Sequence, residues 1–363
     1  MRILYFETTA YYPSSAHFLE ALHELAGGRG WTVDFFDEAP YARRRSFASR
    51  VAARIIGRRP PHCSALNREF TERAINFRPD LVLIGKGQYL APRTLGALKR
   101  ATGAVMVNWA TDDPFNPMNS SAGVRASIPI YDLYACTKHA IMTDVKAHGC
   151  SEAIYVRFGY KTGVHFPEAA ASAEEARRFE CDVAFIGGAD ADRAPIFEAL
   201  VRALPALRLN LYGGYWERYP ALKPYARGIV AGREYRLALA GAAIAINLVR
   251  RSNRDDHVMR TFELPACGAF VLAERTSTHE ELFAQGREAA FFSDAAELIE
   301  EVRRYLADAD GRRRIAEAGR CKVLTGHHTY ADRLLQIVDA AVPIVAARGL
   351  KMPRPCAAFP AND

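Results

Sequence analysis

Apolar positions along the chain fall into short unbroken runs. Stretches where Leu, Ile, Val or Phe recur every three or four residues separate them, the signature of buried strands alternating with helices. In the first half, 3–6, 32–36, 81–84, 104–109, 133–136 and 153–156 read as strands, with helices over 14–26, 67–77 and 95–99. Gly27, Gly28 and Gly30 are expected to close the first helix. Residues 167–180, small, polar and acidic, read as a linker or surface helix. After them the alternation restarts: strands over 182–186, 207–212, 243–248, 270–272 and 289–292, helices over 194–204, 235–240, 280–283, 295–306, 312–324 and 330–347. The pattern predicts two α/β domains with parallel sheets, 1–166 and 181–340, followed by a tail over 341–363 that straps back onto the first. Ligands of such sheets sit outside the carboxyl ends of the strands, so two facing halves would hold a site between them.

One stretch joins these patterns to candidate chemistry. In Arg260–Ala273, Phe262, Leu264, Ala266 and Cys267 predict a short helix stopped at Gly268, and Phe270, Val271 and Leu272 a core strand. Glu263 then stands in the first turn of that helix, where a carboxylate suits the positive end.

Composition changes the picture in one place. An apolar share of 50% and a charged share of 25% are those of an ordinary globular protein, but the net charge of +7 is uneven. No acid occurs between Glu38 and Glu69, where eight arginines from Arg43 to Arg68 accumulate. With Phe47, Val51, Ile55 and Ile56 interleaved, residues 43–59 read as a basic helix, either packed on its domain or lying on an anionic membrane surface; nucleic acid is not the expected partner. No apolar run approaches the roughly 20 residues of a membrane span, and the first apolar run is too short for a signal peptide, so a cytoplasmic place, peripheral to the membrane at most, is expected. Seven scattered cysteines without a Cys-x-x-Cys pair read as free thiols.

The second half carries an ordered set of motifs. Asp182–Gly188 is followed by Arg193, Leu211-Tyr212-Gly213, Ala245–Leu248, Arg260-Thr261-Phe262-Glu263, Ala266-Cys267-Gly268 and His328-Thr329-Tyr330 with Arg333. Together they resemble the CgeB-like, spore-maturation type glycosyltransferases, within the group-1 enzymes of GT-B fold. The first half resembles them more loosely, through Gly85-Lys86-Gly87 and Trp109–Pro114. The resemblance implies a GT-B architecture, a nucleotide-sugar donor, UDP- or GDP-linked, held by the second domain, and an unidentified acceptor held by the first. It assigns Glu263 to the ribose hydroxyls. Related enzymes carry a second glutamate eight residues earlier; here that position is Asp255, with Asp256, His257 and Arg260 near it in sequence.

Further donor-binding candidates are Gly187 and Gly188, whose backbone N–H groups can receive a diphosphate, Arg193 and Arg260 for its charge, Tyr212 and Gly213 for the base pocket, and Arg250, Asn247, Thr261 and Phe262 around them. Asp190-Ala191-Asp192 has the look of a metal-binding pair, but its place before a helix favours capping, and no metal is expected. For a catalytic base the candidates are Asp113, Asp112 and His17. An epimerase or hydrolase of the same fold, or a binding protein without turnover, are the competing functions.

Overall fold

The computed structural model describes residues 1–9, 13–43, 63–117 and 120–349. The chain divides into two compact units, Met1–Arg157 with the segment from Tyr330 onward, and Phe158–Thr329. The basic stretch from Arg44 to Arg59 and the tail beyond Gly349 lie outside the described residues.

The first unit is built on six parallel strands: β1 (Arg2–Glu7), β2 (Thr32–Asp37), β3 (Leu81–Gly85), β4 (Val105–Ala110), β5 (Leu133–Cys136) and β6 (Glu152–Tyr155). Their order is β2-β1-β3-β4-β5-β6. The central strands are apolar without alternation because both faces are covered. Ile3, Tyr5, Leu83 and Val107 face Phe18 and the last helix, Tyr330–Ala347. Leu4, Phe6, Val82 and Ile84 face Leu66, Phe70 and Leu95 on the other side. The last helix contributes Leu334, Val338 and Ala341 to that first core.

The second unit has five parallel strands, β7 (Cys181–Ile186), β8 (Leu209–Tyr212), β9 (Ala242–Asn247), β10 (Val271–Glu274) and β11 (Ala290–Phe292), in the order β11-β10-β9-β7-β8. Phe185, Leu211, Ile246 and Leu272 form its main core with Phe197 and Trp216.

Three details depart from the sequence reading. The first helix runs from Pro13 to Arg29, straight through Gly27 and Gly28, and turns left-handed only at Gly30, with φ of 63°. Both interior glycines face open space, where their cost is only the roughly 1 kcal/mol of lost helix propensity. The units divide at Arg157 and Thr329 rather than at 166 and 340, because Phe158 and Tyr160 already pack with Phe262 and Leu264. The stretch read as a linker or surface helix does hold a helix, Ala173–Phe179, but its Phe179 is buried with Cys181, Tyr212 and Leu237 in the second unit.

Asp132 ties the end of the last helix to the first sheet. Its Oδ2 accepts the Met106 N–H at 2.9 Å, while its Oδ1 lies 2.6 Å from Arg348 Nη2 and 2.8 Å from Lys99 Nζ. Asp132→Ala leaves two cations and a strand amide short of an acceptor and is expected to cost about 2–3 kcal/mol, read as a lower urea midpoint. An unchanged midpoint would remove Asp132 as the tie.

Candidate functional site

In the second unit the chain's direction switches between β7 and β9, since β8 lies to one side of β7 and β9 to the other. Such a switch opens a crevice at the carboxyl ends of the strands. Gly187 and Gly188 stand there, stitched to the turn after β8. Gly187 N–H donates to Tyr212 O at 2.7 Å, Ala189 N–H to Gly214 O at 2.9 Å, and Trp216 Nε1–H to Gly187 O at 2.8 Å. Gly213, at φ 131°, approaches so closely that a Cβ on it would overlap the Gly187 carbonyl. A Cβ on Gly187 would meet Phe185 at 2.8 Å and would lie 3.6 Å from the guanidinium carbon of Arg260. Both glycines are required by contact.

Two arginines share the ring of Phe185, the Arg193 guanidinium at 5.5 Å from its centre and that of Arg260 at 5.8 Å. Arg193 is 5% exposed; its Nη1 donates to Gly188 O at 3.0 Å, while Nε and Nη2 are sealed and unpaired among the described residues. Arg260 Nε is likewise sealed and unpaired among them. Burial, then repulsion from Arg260, lowers Arg193 to about 10, with Arg250 adding to the repulsion. Burial lowers Arg260 as well; the Tyr235 hydroxyl and the Glu263 carboxylate oppose that shift, and Arg250 adds to it. Asp255 offsets the charge only in part: its Oδ2 accepts from Arg250 Nε at 3.3 Å and its Oδ1 from Asn253 Nδ2 at 2.7 Å. Arg193 Nη1 also lies 3.4 Å from Asp190 Oδ2, and the remaining sealed guanidinium N–H groups are the kind of donor that an anion satisfies.

Asp190 serves this site as a cap. Its Oδ1 accepts from the N–H groups of Asp192 at 3.0 Å and Arg193 at 2.9 Å, which fixes the turn into the helix Ala194–Ala203. Among the described residues no three His, Cys, Asp or Glu side chains cluster as metal ligands.

Glu263 lies in the helix Arg260–Ala266 and is 6% exposed. Its Oε2 accepts from the Tyr235 hydroxyl at 3.0 Å, and Oε1 is 3.7 Å from His165 Nε2. His165 Nδ1 accepts the Lys161 N–H at 3.0 Å, so the proton of the neutral ring sits on Nε2, facing Glu263. Burial first, then the charge of Arg236, lowers His165 to about 4. Burial, then the Glu263 carboxylate, drives the Tyr235 hydroxyl well up.

Several expected donor residues prove to be supports. His257 is fully buried, with Nδ1 2.6 Å from Asp256 Oδ1 and Nε2 accepting the Phe158 N–H at 3.0 Å, so both ring nitrogens are engaged within the unit. Thr261 Oγ1 accepts from Asn247 Nδ2 at 3.1 Å and from Val258 N–H at 3.2 Å, and lies 2.9 Å from His279 Nε2. That network leaves Asn247 Oδ1 buried and unpaired among the described residues. Phe262 packs between His257 and His328, and Tyr212 is core, its hydroxyl 3.3 Å from Asn210 Nδ2 and pushed up to about 12 by burial. Neither lines an opening.

In the first unit, Asp112 Oδ2 is 2.8 Å from Lys86 Nζ, and Asp113, 3% exposed, accepts the Phe115 N–H through Oδ1 at 2.8 Å. His17, on the first helix, lies with its ring 6.3 Å from that of Tyr330. The sequence reading passed over Phe185, Tyr235, His165 and Glu7. Phe185 follows strand alternation and looks like plain core, and nothing in sequence links Tyr235 or His165 to Glu263. Glu7 ends an apolar run and looks like a strand terminus.

Solved structures resemble the chain over almost its whole length. Sucrose-phosphate synthase from Thermosynechococcus elongatus matches with a TM-score of 0.67 at 14% identity, covering 96% of this chain and 100% of the other. Anabaena HepE in complex with UDP-glucose matches at 0.63 and 14% identity, covering 94% and 99%. A putative UDP-N-acetylglucosamine 2-epimerase from Listeria monocytogenes matches at 0.57 and 11% identity, covering 98% and 99%. The two α/β units with parallel sheets are therefore the GT-B fold of glycosyltransferases. Within it, residues 193–339 match the family model described as Glycosyl transferase-like. That span begins at the anion-site arginine Arg193 and takes in Arg260 and Glu263. No curated protein sequence matches the chain.

The neutrality of His165 has a sign that can be measured. Its folded value of about 4 lies below the ordinary 6.5, so the unfolded chain binds the extra proton first. Stability is unaffected above pH 6.5, falls as the pH drops toward 4, and loses up to about 3 kcal/mol in total. His165→Gln is expected to flatten the melting temperature across that interval by comparison with the parent. Parallel curves would assign the titration elsewhere.

Proposed function

We propose that the chain is a glycosyltransferase that moves a sugar from a nucleoside diphosphate to a hydroxyl- or amine-bearing acceptor. One observation carries this reading: Arg193 and Arg260 hold sealed, unpaired N–H groups around the Phe185 ring beside two glycines at a strand-end switch point. A doubly charged oxyanion satisfies both guanidiniums at once and relieves their repulsion, which a single carboxylate or a water does not do. In this reading the diphosphate meets Arg193, Arg260 and the backbone at Gly187 and Gly188, while Arg250 and Asp255 stand toward the sugar. Glu263, fixed by Tyr235, accepts from the ribose hydroxyls. HepE is known with UDP-glucose bound, which makes a uridine nucleotide the first donor to try.

The ordered motifs of the second half support placing the chain with the CgeB-like subtype. The commitment of Asp190 to backbone capping supports turnover without a divalent metal. Restoration by Mn of activity lost in EDTA would overturn that part.

A melting panel of UDP-, GDP-, TDP- and ADP-sugars tests the donor site, since a ligand bound by the folded state alone raises its stability. Arg260→Met removes a sealed charge, so the unliganded variant is expected to melt no lower than the parent while its nucleotide affinity falls about 10- to 100-fold. Glu263→Gln is expected to weaken UDP about tenfold and leave inorganic pyrophosphate untouched, the loss of roughly one charge-assisted hydrogen bond. A parent that responds to none of the four nucleotides, or an Arg260→Met variant that responds as the parent does, would sink the reading.

A further inference from the structure

The second unit has another opening, at the far end of its sheet from the crevice. The helix Ala295–Ala307 leaves the carboxyl end of β11 and so finishes beside the amino ends of the strands, where the helix Ala309–Thr325 begins. The turn over 284–288, which leads into β11, forms a third wall. Together they line a cavity of about 330 Å³, a size at the lower end of small-molecule sites. Close approaches hold the walls in place. Gly319 brings the second helix so near the turn that a Cβ there would lie 2.2 Å from the Glu288 carbonyl oxygen. Gly311 has no room for a Cβ because the Asp308 carboxylate fills it, as the Glu7 carboxylate fills the space at Gly85 in the first unit.

Each wall brings one arginine to the cavity: Arg287 from the turn, Arg304 from the first helix and Arg314 from the second. None is tied down. Arg287 Nη2 lies 3.1 Å from Glu288 Oε1 with its side chain 75% exposed, and Arg304 Nη1 lies 3.3 Å from Glu301 Oε1 with its side chain 63% exposed. Exposed pairs of this kind contribute little and yield to a stronger anion. Arg314 makes no hydrogen bond or ion pair among the described residues. The floor is apolar, with Ile315 and the Tyr305 ring, which packs on Phe270 at 4.6 Å between centres. Among the described residues of the lining, Asp308 supplies the one carboxylate. Its Oδ1 accepts the Gly311 N–H at 2.8 Å as the helix cap, and its Oδ2 holds no hydrogen bond from the described residues.

This set of groups defines the ligand. Three guanidiniums call for a compact group with two negative charges, since each planar fork holds two oxygens at once. The open carboxylate oxygen calls for a hydroxyl donor. A neutral sugar leaves the guanidiniums unmet, and inorganic phosphate meets Asp308 as a like charge and fills little of the space. We propose that the cavity is a second ligand site, for a small sugar phosphate, with the phosphate on Arg287, Arg304 and Arg314 and a sugar hydroxyl donating to Asp308 Oδ2. The proposal is independent of the transfer reading, because no residue of the crevice takes part.

Calorimetric titration of the full chain with ribose 5-phosphate, run with an excess of UDP present, tests it. One site with a Kd below about 1 mM is expected. Arg314→Gln takes no hydrogen bond from the folded protein, so it is expected to melt as the parent does and to bind ribose 5-phosphate about tenfold more weakly. Asp308→Asn keeps the helix cap, because asparagine caps as well as aspartate, and changes only the charge. It is expected to weaken ribose 5-phosphate about fivefold while binding inorganic phosphate at least as tightly as the parent. Arg260→Met, in the crevice, is expected to leave ribose 5-phosphate binding unchanged. Absence of binding overturns the proposal, and so does an Arg314→Gln variant that binds as the parent does. Binding lost in Arg260→Met assigns the ligand to the crevice and overturns it as well. Inorganic phosphate bound by the parent as tightly as ribose 5-phosphate marks a site for the ion alone and overturns the assignment to a sugar phosphate. The nucleotide melting panel reads the crevice alone, so a failure there leaves these outcomes as they stand.

Discussion

Two like charges held against one aromatic ring govern the second unit. Arg193 arrives from the turn after β7 and Arg260 from the start of a short helix, and both converge on Phe185. The quadrupole of the ring recovers part of what burial costs each cation, but it does not cancel their repulsion. Gly187 and Gly213 have no room for side chains because the Phe185 ring and the backbone at Gly187 already occupy it. Asp190, Asp255 and the Asn247–Thr261–His279 chain hold the surrounding loops, and Asp190 and Glu263 offset only part of this charge. A folded protein tolerates such an arrangement where the missing partner is a ligand.

The first unit shows the converse. Its switch point holds the Glu7 carboxylate, while the nearby Lys86 ammonium pairs with Asp112.

The sheets were legible in the sequence because their strands are covered on both faces and so carry uninterrupted apolar runs. All eleven described strands lie within one or two residues of where those runs place them. Boundaries set by packing at a distance were not legible. Nothing local says that Phe158 belongs with Phe262, or that Phe179 closes over Cys181. The donor candidates divide the same way. Arg193, Arg260 and Glu263 announce themselves as charges flanking glycines or opening a helix. His257, Thr261 and Tyr212, in the same motifs, spend their polar atoms inside the unit, and only coordinates separate a residue that meets a ligand from one that positions its neighbour. Glu7 was missed for the opposite reason: an acid after four apolar residues looks like the end of a strand, and its environment is made by β3 and β4, some 75 to 105 residues later.

The overlap between Gly85 and the Glu7 carboxylate also constrains how this chain can change over generations. The two positions touch across neighbouring strands, so their substitutions will not add. While residue 7 is glutamate, a side chain at 85 forces its carboxylate end to move aside; once residue 7 shortens to alanine or serine, that conflict lifts and 85 becomes free to drift. Descendants of this sequence that keep an acid at 7 should therefore keep glycine at 85, and those that lose one should lose the other.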